Sequence, residues 1–82
     1  MTRREAMIFI EKQLRRANEL EKTDLMMDEK NITEISTHWI IPYQSKRYLD
    51  SGDALHAVDG IVPYAIDKKT GRIDPKIDTS WM

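Results

Sequence analysis

The chain has 82 residues, no cysteine, 40% apolar and 33% charged side chains, and a formal net charge of -1. That size suits one small domain spanning residues 1–82, and with no disulfide its stability must come from packing, a partner or self-association. Thirteen Lys and Arg against fourteen Asp and Glu give no one-signed field for nucleic acid or an anionic membrane, and argue against an acidic nucleic-acid mimic.

No apolar run approaches the ~20 residues that span a bilayer. The charged start, Met1-Thr2-Arg3-Arg4-Glu5, lacks the apolar stretch of a signal peptide behind it, so a cytoplasmic location is expected.

The first twenty residues predict an amphipathic helix. Thr2 and Glu5 have capping-box spacing. Ala6, Met7, Ile10, Leu14 and Ala17 recur at helical period, with Ile8 and Phe9 expected to widen the stripe. Glu11 and Arg15 stand four apart in the favourable order. The pattern is lost from Asn18 to Thr23, which puts the helix end near Leu20 or Glu21.

From Asp24 the period changes. Strands are predicted at about 24–28 and 36–45, with Glu29-Lys30-Asn31 as a turn; Ile32 to Ile35 is either strand or loop. Pro42 cannot donate to a ladder, so the second run is an edge strand or carries a bulge. Asp50-Ser51-Gly52-Asp53 is turn chemistry, and Ala54 to Val58 suits one helical turn closed by Gly60. Ile61 to Ile66, the turn Asp67 to Gly71 and the returning Arg72-Ile73 read as a hairpin, with Pro63 at its start and Gly71 left-handed. Asp74-Pro75 ends or bends the last strand ahead of a tail holding Ile77 and Trp81. One helix followed by strands predicts an α+β fold: the N-terminal helix packed on an antiparallel sheet of three to four strands.

Chemistry-bearing groups are sparse. His38 and His56 lie in different segments with no metal-ligand spacing, and both read as ordinary histidines. Asp50, Asp53 and Asp59 do not follow the calcium-loop pattern and suit turns and caps. The three glycines form no phosphate-binding loop. Arg3, Arg4, Lys12, Arg15 and Arg16 are interleaved with Glu5, Glu11 and Glu19, which makes a mixed, solvated face. Met7, Met26 and Met27 suit core filling. No catalytic residue, cofactor or metal site is assigned, and a small enzyme ranks behind a binding protein. Trp39, Tyr43 and Tyr48 are either core under the helix or anchors for a protein partner.

The blocks Trp39-Ile40-Ile41-Pro42-Tyr43-Gln44-Ser45, Tyr48-Leu49-Asp50-Ser51-Gly52-Asp53 and Gly60-Ile61-Val62-Pro63-Tyr64-Ala65-Ile66-Asp67-Lys68-Lys69-Thr70-Gly71-Arg72-Ile73 appear in this order within residues 38–73. The set resembles the small bacterial YrhB-like family, grouped with immunity proteins of polymorphic toxin systems, which also places a helix at the N-terminus. The resemblance implies a stoichiometric, non-catalytic inhibitor whose partner is a cognate toxin. The alternative from another class is a chaperone-like or stability protein that binds unfolded chains or a second copy of itself. Tyr48, Asp50, Asp53 and Asp59 are the candidate partner contacts, because they fall in the region between strands where binding groups are displayed.

Overall fold

The computed structural model describes residues 1–58 and 61–74. Helix α1, Arg3–Glu21, starts at the expected capping box: Thr2 Oγ1 accepts from the Glu5 amide at 3.2 Å, and Glu5 Oε1 accepts from the Thr2 amide at 3.0 Å. It ends at Lys22, which turns left-handed at φ 58° so that its amide reaches the Asn18 carbonyl. Ala6, Ile10 and Leu14 form the buried stripe, flanked by half-buried Met7 and Phe9. Ile8 does not widen it. At about 100° per residue that position falls opposite the stripe, and Ile8 is exposed.

The strands are β1 (Leu25–Met27), β2 (Thr33–Glu34), β3 (His38–Ile41), β4 (Tyr43–Ser45) and β5 (Tyr64–Asp67), with a 3₁₀ turn at Glu29–Asn31. The fold is α+β and antiparallel, as expected, but its strands are divided between a pair, β1-β4, and a triplet, β2-β3-β5. Pro42 makes the division. With no N–H to continue the ladder, it cuts the run expected over 36–45 into β3 and β4, and its carbonyl accepts from Asp28 N at 3.0 Å. β3 is therefore the central strand of the triplet rather than an edge.

In the triplet Trp39 lies opposite Ile66 and Ile41 opposite Tyr64, while His38 lies opposite Asp67 and Ile40 opposite Ala65. Alternation sends the first two pairs to the α1 side, where Ile41 and Ile66 join Ala6, Ile10, Leu14 and Met27 in one core. Trp39 and Tyr43 both pack against that core. The Trp39 indole donates to the Met1 carbonyl at 3.0 Å, and Lys68 Nζ sits 5.1 Å from its ring while pairing with Glu34 at 2.6 Å. Tyr43 stacks on Tyr64 with centroids 5.0 Å apart, which joins the two sheets across the Pro42 break. Burial, and then the neighbouring Tyr64, raise the Tyr43 hydroxyl above its usual pKa.

The hairpin closes as its turn residues predict. Asp67 Oδ1 accepts from the amides of Lys69 and Thr70 at 2.7 and 3.2 Å, and Gly71 takes φ 70°. Among the described residues the return strand forms a bridge between Ile73 and Ile66, followed by Asp74 N donating to Ala65 O at 2.7 Å.

A displayed segment and a histidine–aspartate cluster

Where sequence reading saw only turn chemistry, the chain after β4 forms a short helix, α2 (Lys46–Ser51), stopped at Gly52 with φ 71°. A 3₁₀ turn at Ala54–His56 follows, shorter than the Ala54 to Val58 expected. Asp24 fastens the start of this segment: both its carboxylate oxygens accept from Ser45 Oγ at 3.1 and 3.2 Å, Oδ2 accepts from Arg47 N at 3.4 Å, and its carbonyl accepts from Lys46 N at 2.8 Å. Gln44 fastens the other end, its Oε1 accepting from Val58 N at 2.7 Å and its Nε2 donating to Val58 O at 3.2 Å. The chain from 46 to 58 is thus tied at one end to Asp24, next to β1, and at the other to Gln44 of β4.

Tyr48, Asp50 and Asp53 all fall on this tied segment. Tyr48 is half-buried, and Asp50 is exposed at the end of α2. Asp53 is exposed but has a structural duty, since its Oδ1 accepts from Leu55 N at 3.0 Å and caps the 3₁₀ turn. Asp59 and Gly60 lie outside the described residues, as do Pro75, Ile77 and Trp81 of the tail. Leu55, which sequence reading passed over, is 90% exposed, with Val58 and Val62 also exposed. An apolar side chain inside a polar turn stretch was the available signal.

A second feature, a concavity of about 550 Å³, lies between α1 and β1, lined by Leu14, Leu25 and Met27 together with Glu11 and Glu19. The mixed helix face expected from the sequence borders it, Glu11 pairing with Arg15 at 3.4 Å. At that exposure the pair contributes a few tenths of a kcal/mol.

The third feature centres on His38, which is only 5% exposed. Its Nδ1 lies 2.6 Å from Thr37 Oγ1, and its Nε2 lies 3.2 Å from Asp74 Oδ2 and 4.0 Å from Asp67 Oδ2. The register pairs His38 with Asp67, and the Ile66–Ile73 bridge brings Asp74 beside them. The Lys69 and Thr70 amides, in that order, hold the Asp67 carboxyl below its usual pKa. Reading His38 as an ordinary histidine missed this cluster, because its partners are set by strand register rather than sequence spacing. His56 is exposed at the end of its turn, away from any such cluster among the described residues.

None of the described helices is long and apolar enough to cross a membrane. No curated protein and no solved structure matches the chain. Residues 4–81, nearly its whole length, match the family described as immunity protein 35, and the chain belongs to that family.

Proposed function

We propose that this chain is a non-catalytic immunity protein that binds and neutralises a cognate bacterial toxin in the cytoplasm of the cell that makes both. Family membership supports the general class. The observation that carries the mode of action is the tied segment: along it stand Leu55, 90% exposed, the exposed Val58 and the exposed carboxylate of Asp50. Single exposed apolar residues are ordinary on a protein surface, but these fall close together in sequence on a backbone held at both ends. An apolar anchor ringed by polar groups is the anatomy of a protein interface.

Tyr48, Asp50, Asp53 and Asp59 are proposed as partner contacts together with Leu55. A standard interface would take about 800 Å² of this surface. The blocks that resemble the YrhB-like family fit the same reading, since they supply most of β3, all of β4 and β5, and the Gln44 tie beside which the segment is displayed. With the near-neutral net charge of -1, shape and mixed polar contacts carry recognition rather than a one-signed field.

Co-expression with a toxin encoded next to this gene tests the reading, and a neighbourhood without one counts against it. The wild-type chain should protect the host and bind the toxin. Leu55→Asp should weaken binding about 30-fold, the effect of losing an anchor worth ~2 kcal/mol, while stability changes by less than about 0.5 kcal/mol. Continued toxicity with abundant folded protein refutes the immunity role. Full protection and unchanged affinity by Leu55→Asp refutes the assigned surface.

A further inference from the structure

We propose that His38 Nε2, Asp67 Oδ2 and Asp74 Oδ2 form a binding site for a divalent transition-metal ion, zinc by the chemistry of its donors. One imidazole and two carboxylates match the ligand types zinc accepts, and together the carboxylates balance its charge. The three donor atoms lie within 4.8 Å of one another. Ligands about 2.1 Å from a tetrahedral zinc stand about 3.4 Å apart. His38 and Asp74, at 3.2 Å, already have that spacing, and Asp67, at 4.0 Å from Nε2, needs only a small side-chain adjustment.

On His38 and Asp67 the atoms not aimed at the ion are held by neighbouring groups. Nδ1 of His38 meets the Thr37 hydroxyl at 2.6 Å; with its proton donated there, Nε2 keeps a lone pair for the metal. Asp67 turns Oδ1 to the Lys69 and Thr70 amides and leaves Oδ2 for the ion. Such outer contacts orient metal ligands and are commonly worth tenfold or more in affinity. Burial of His38 gives the site a low dielectric, whereas the Asp67 and Asp74 side chains remain 31% and 30% exposed, which leaves an ion a route in.

The ligands come from β3, the end of β5 and the return strand beyond Gly71. An ion held there would staple the hairpin end of the triplet in a small chain that has no cysteine to cross-link it. This role is independent of toxin binding.

The test uses the untagged full chain, stripped with a chelator and dialysed, then titrated with zinc chloride by calorimetry and followed by thermal melting, with manganese chloride run in parallel. Zinc should bind one per chain and raise Tm. Asp74→Asn should abolish that binding or weaken it at least tenfold, and His56→Ala should leave it unchanged. No saturable binding of either ion by the wild type overturns the proposal, as does zinc binding that survives Asp74→Asn but is lost in His56→Ala. The wild-type chain gives a test free of any folding defect in a variant. Zinc should shift the His38 Nε2 nitrogen resonance and not that of His56, and the converse overturns the site.

Discussion

Asn18 holds α1 to β1 by acting as a stand-in for a neighbouring strand. From the last turn of the helix its Oδ1 accepts from the Leu25 amide at 2.7 Å and its Nδ2 donates to the Leu25 carbonyl at 2.9 Å, while Thr23 Oγ1 donates to the same Oδ1 at 2.8 Å. Leu25 opens β1, whose ladder partner, β4, lies on the other side. One side-chain amide thereby satisfies both main-chain groups that Leu25 turns towards the helix. Asn18→Ala removes both bonds to Leu25, worth about 1 kcal/mol each in net terms. It regains about 0.5 kcal/mol, because alanine is the better helix former. The expected loss is about 1.5 kcal/mol, or a fall in Tm of roughly 6–12 °C for a domain of this size.

Urea unfolding followed by circular dichroism measures this directly: the midpoint should fall while the slope stays constant. Asn18→Asp is a demanding companion, since it keeps the acceptor for the Leu25 amide but points a second oxygen at the Leu25 carbonyl. It should destabilise at least as much as alanine. If Asn18→Ala costs less than about 0.5 kcal/mol, the ordinary range for a surface change, the strand-surrogate role is refuted.

Ile66 is fully buried where β5 meets the helix core, so Ile66→Ala should cost about 2–5 kcal/mol and leave a substantial unfolded fraction by circular dichroism. Gly52 has φ 71° with open space where a Cβ would lie, so Gly52→Ala should cost only the left-handed backbone penalty, about 1–2 kcal/mol, and Gly52→Asn clearly less in the same urea melts. The Thr2 backbone bond, and then its hydroxyl, hold the Glu5 carboxyl below its usual pKa. A carboxylate depressed in the folded state contributes stability that is complete above its unfolded pKa and lost as pH falls through the folded value. Melting curves of wild type and Glu5→Gln should therefore differ by a constant amount near neutral pH and converge in acid; a gap that widens in acid counts against the capping role.

What could be read in the sequence is what short-range physics determines. The Thr2 and Glu5 cap, the Ala6, Ile10 and Leu14 stripe and the Asp67-to-Gly71 turn each depend on residues a few positions apart, and each stands where expected. Helix α2 was invisible because six residues carry too little periodicity, and its first turn is organised by Asp24 from another part of the chain. The split into two sheets was half legible: Pro42 announced a break, but which strands each half would join depended on long-range pairing. The His38 cluster was not legible at all, since its carboxylates arrive through the β3–β5 register and a bridge after Gly71. Of the candidate contacts, local turn chemistry located Tyr48, Asp50 and Asp53 on one displayed segment, yet missed Leu55, the most exposed large apolar side chain among those described.

The division of labour along the chain bears on how such a protein could change partners. The blocks that carry the family resemblance supply the buried face of β3 and β5, the Tyr43–Tyr64 stack, the Gly52 and Gly71 turns and the Gln44 side chain that grips Val58. Residues 54 to 59 fall between those blocks. Of these, Ala54, Leu55, His56 and Val58 are exposed, and the segment's ties run through the Val58 backbone and the Asp53 and Gln44 side chains. Side chains at positions 54 to 56 can therefore be exchanged for about ±0.5 kcal/mol each while the backbone that presents them stays fixed. A toxin-binding specificity built on this segment is separable from the stability of the fold. If the proposed surface is right, replacing Ala54-Leu55-His56 as a block should abolish neutralisation of the toxin while urea unfolding gives a stability changed by no more than about 1.5 kcal/mol.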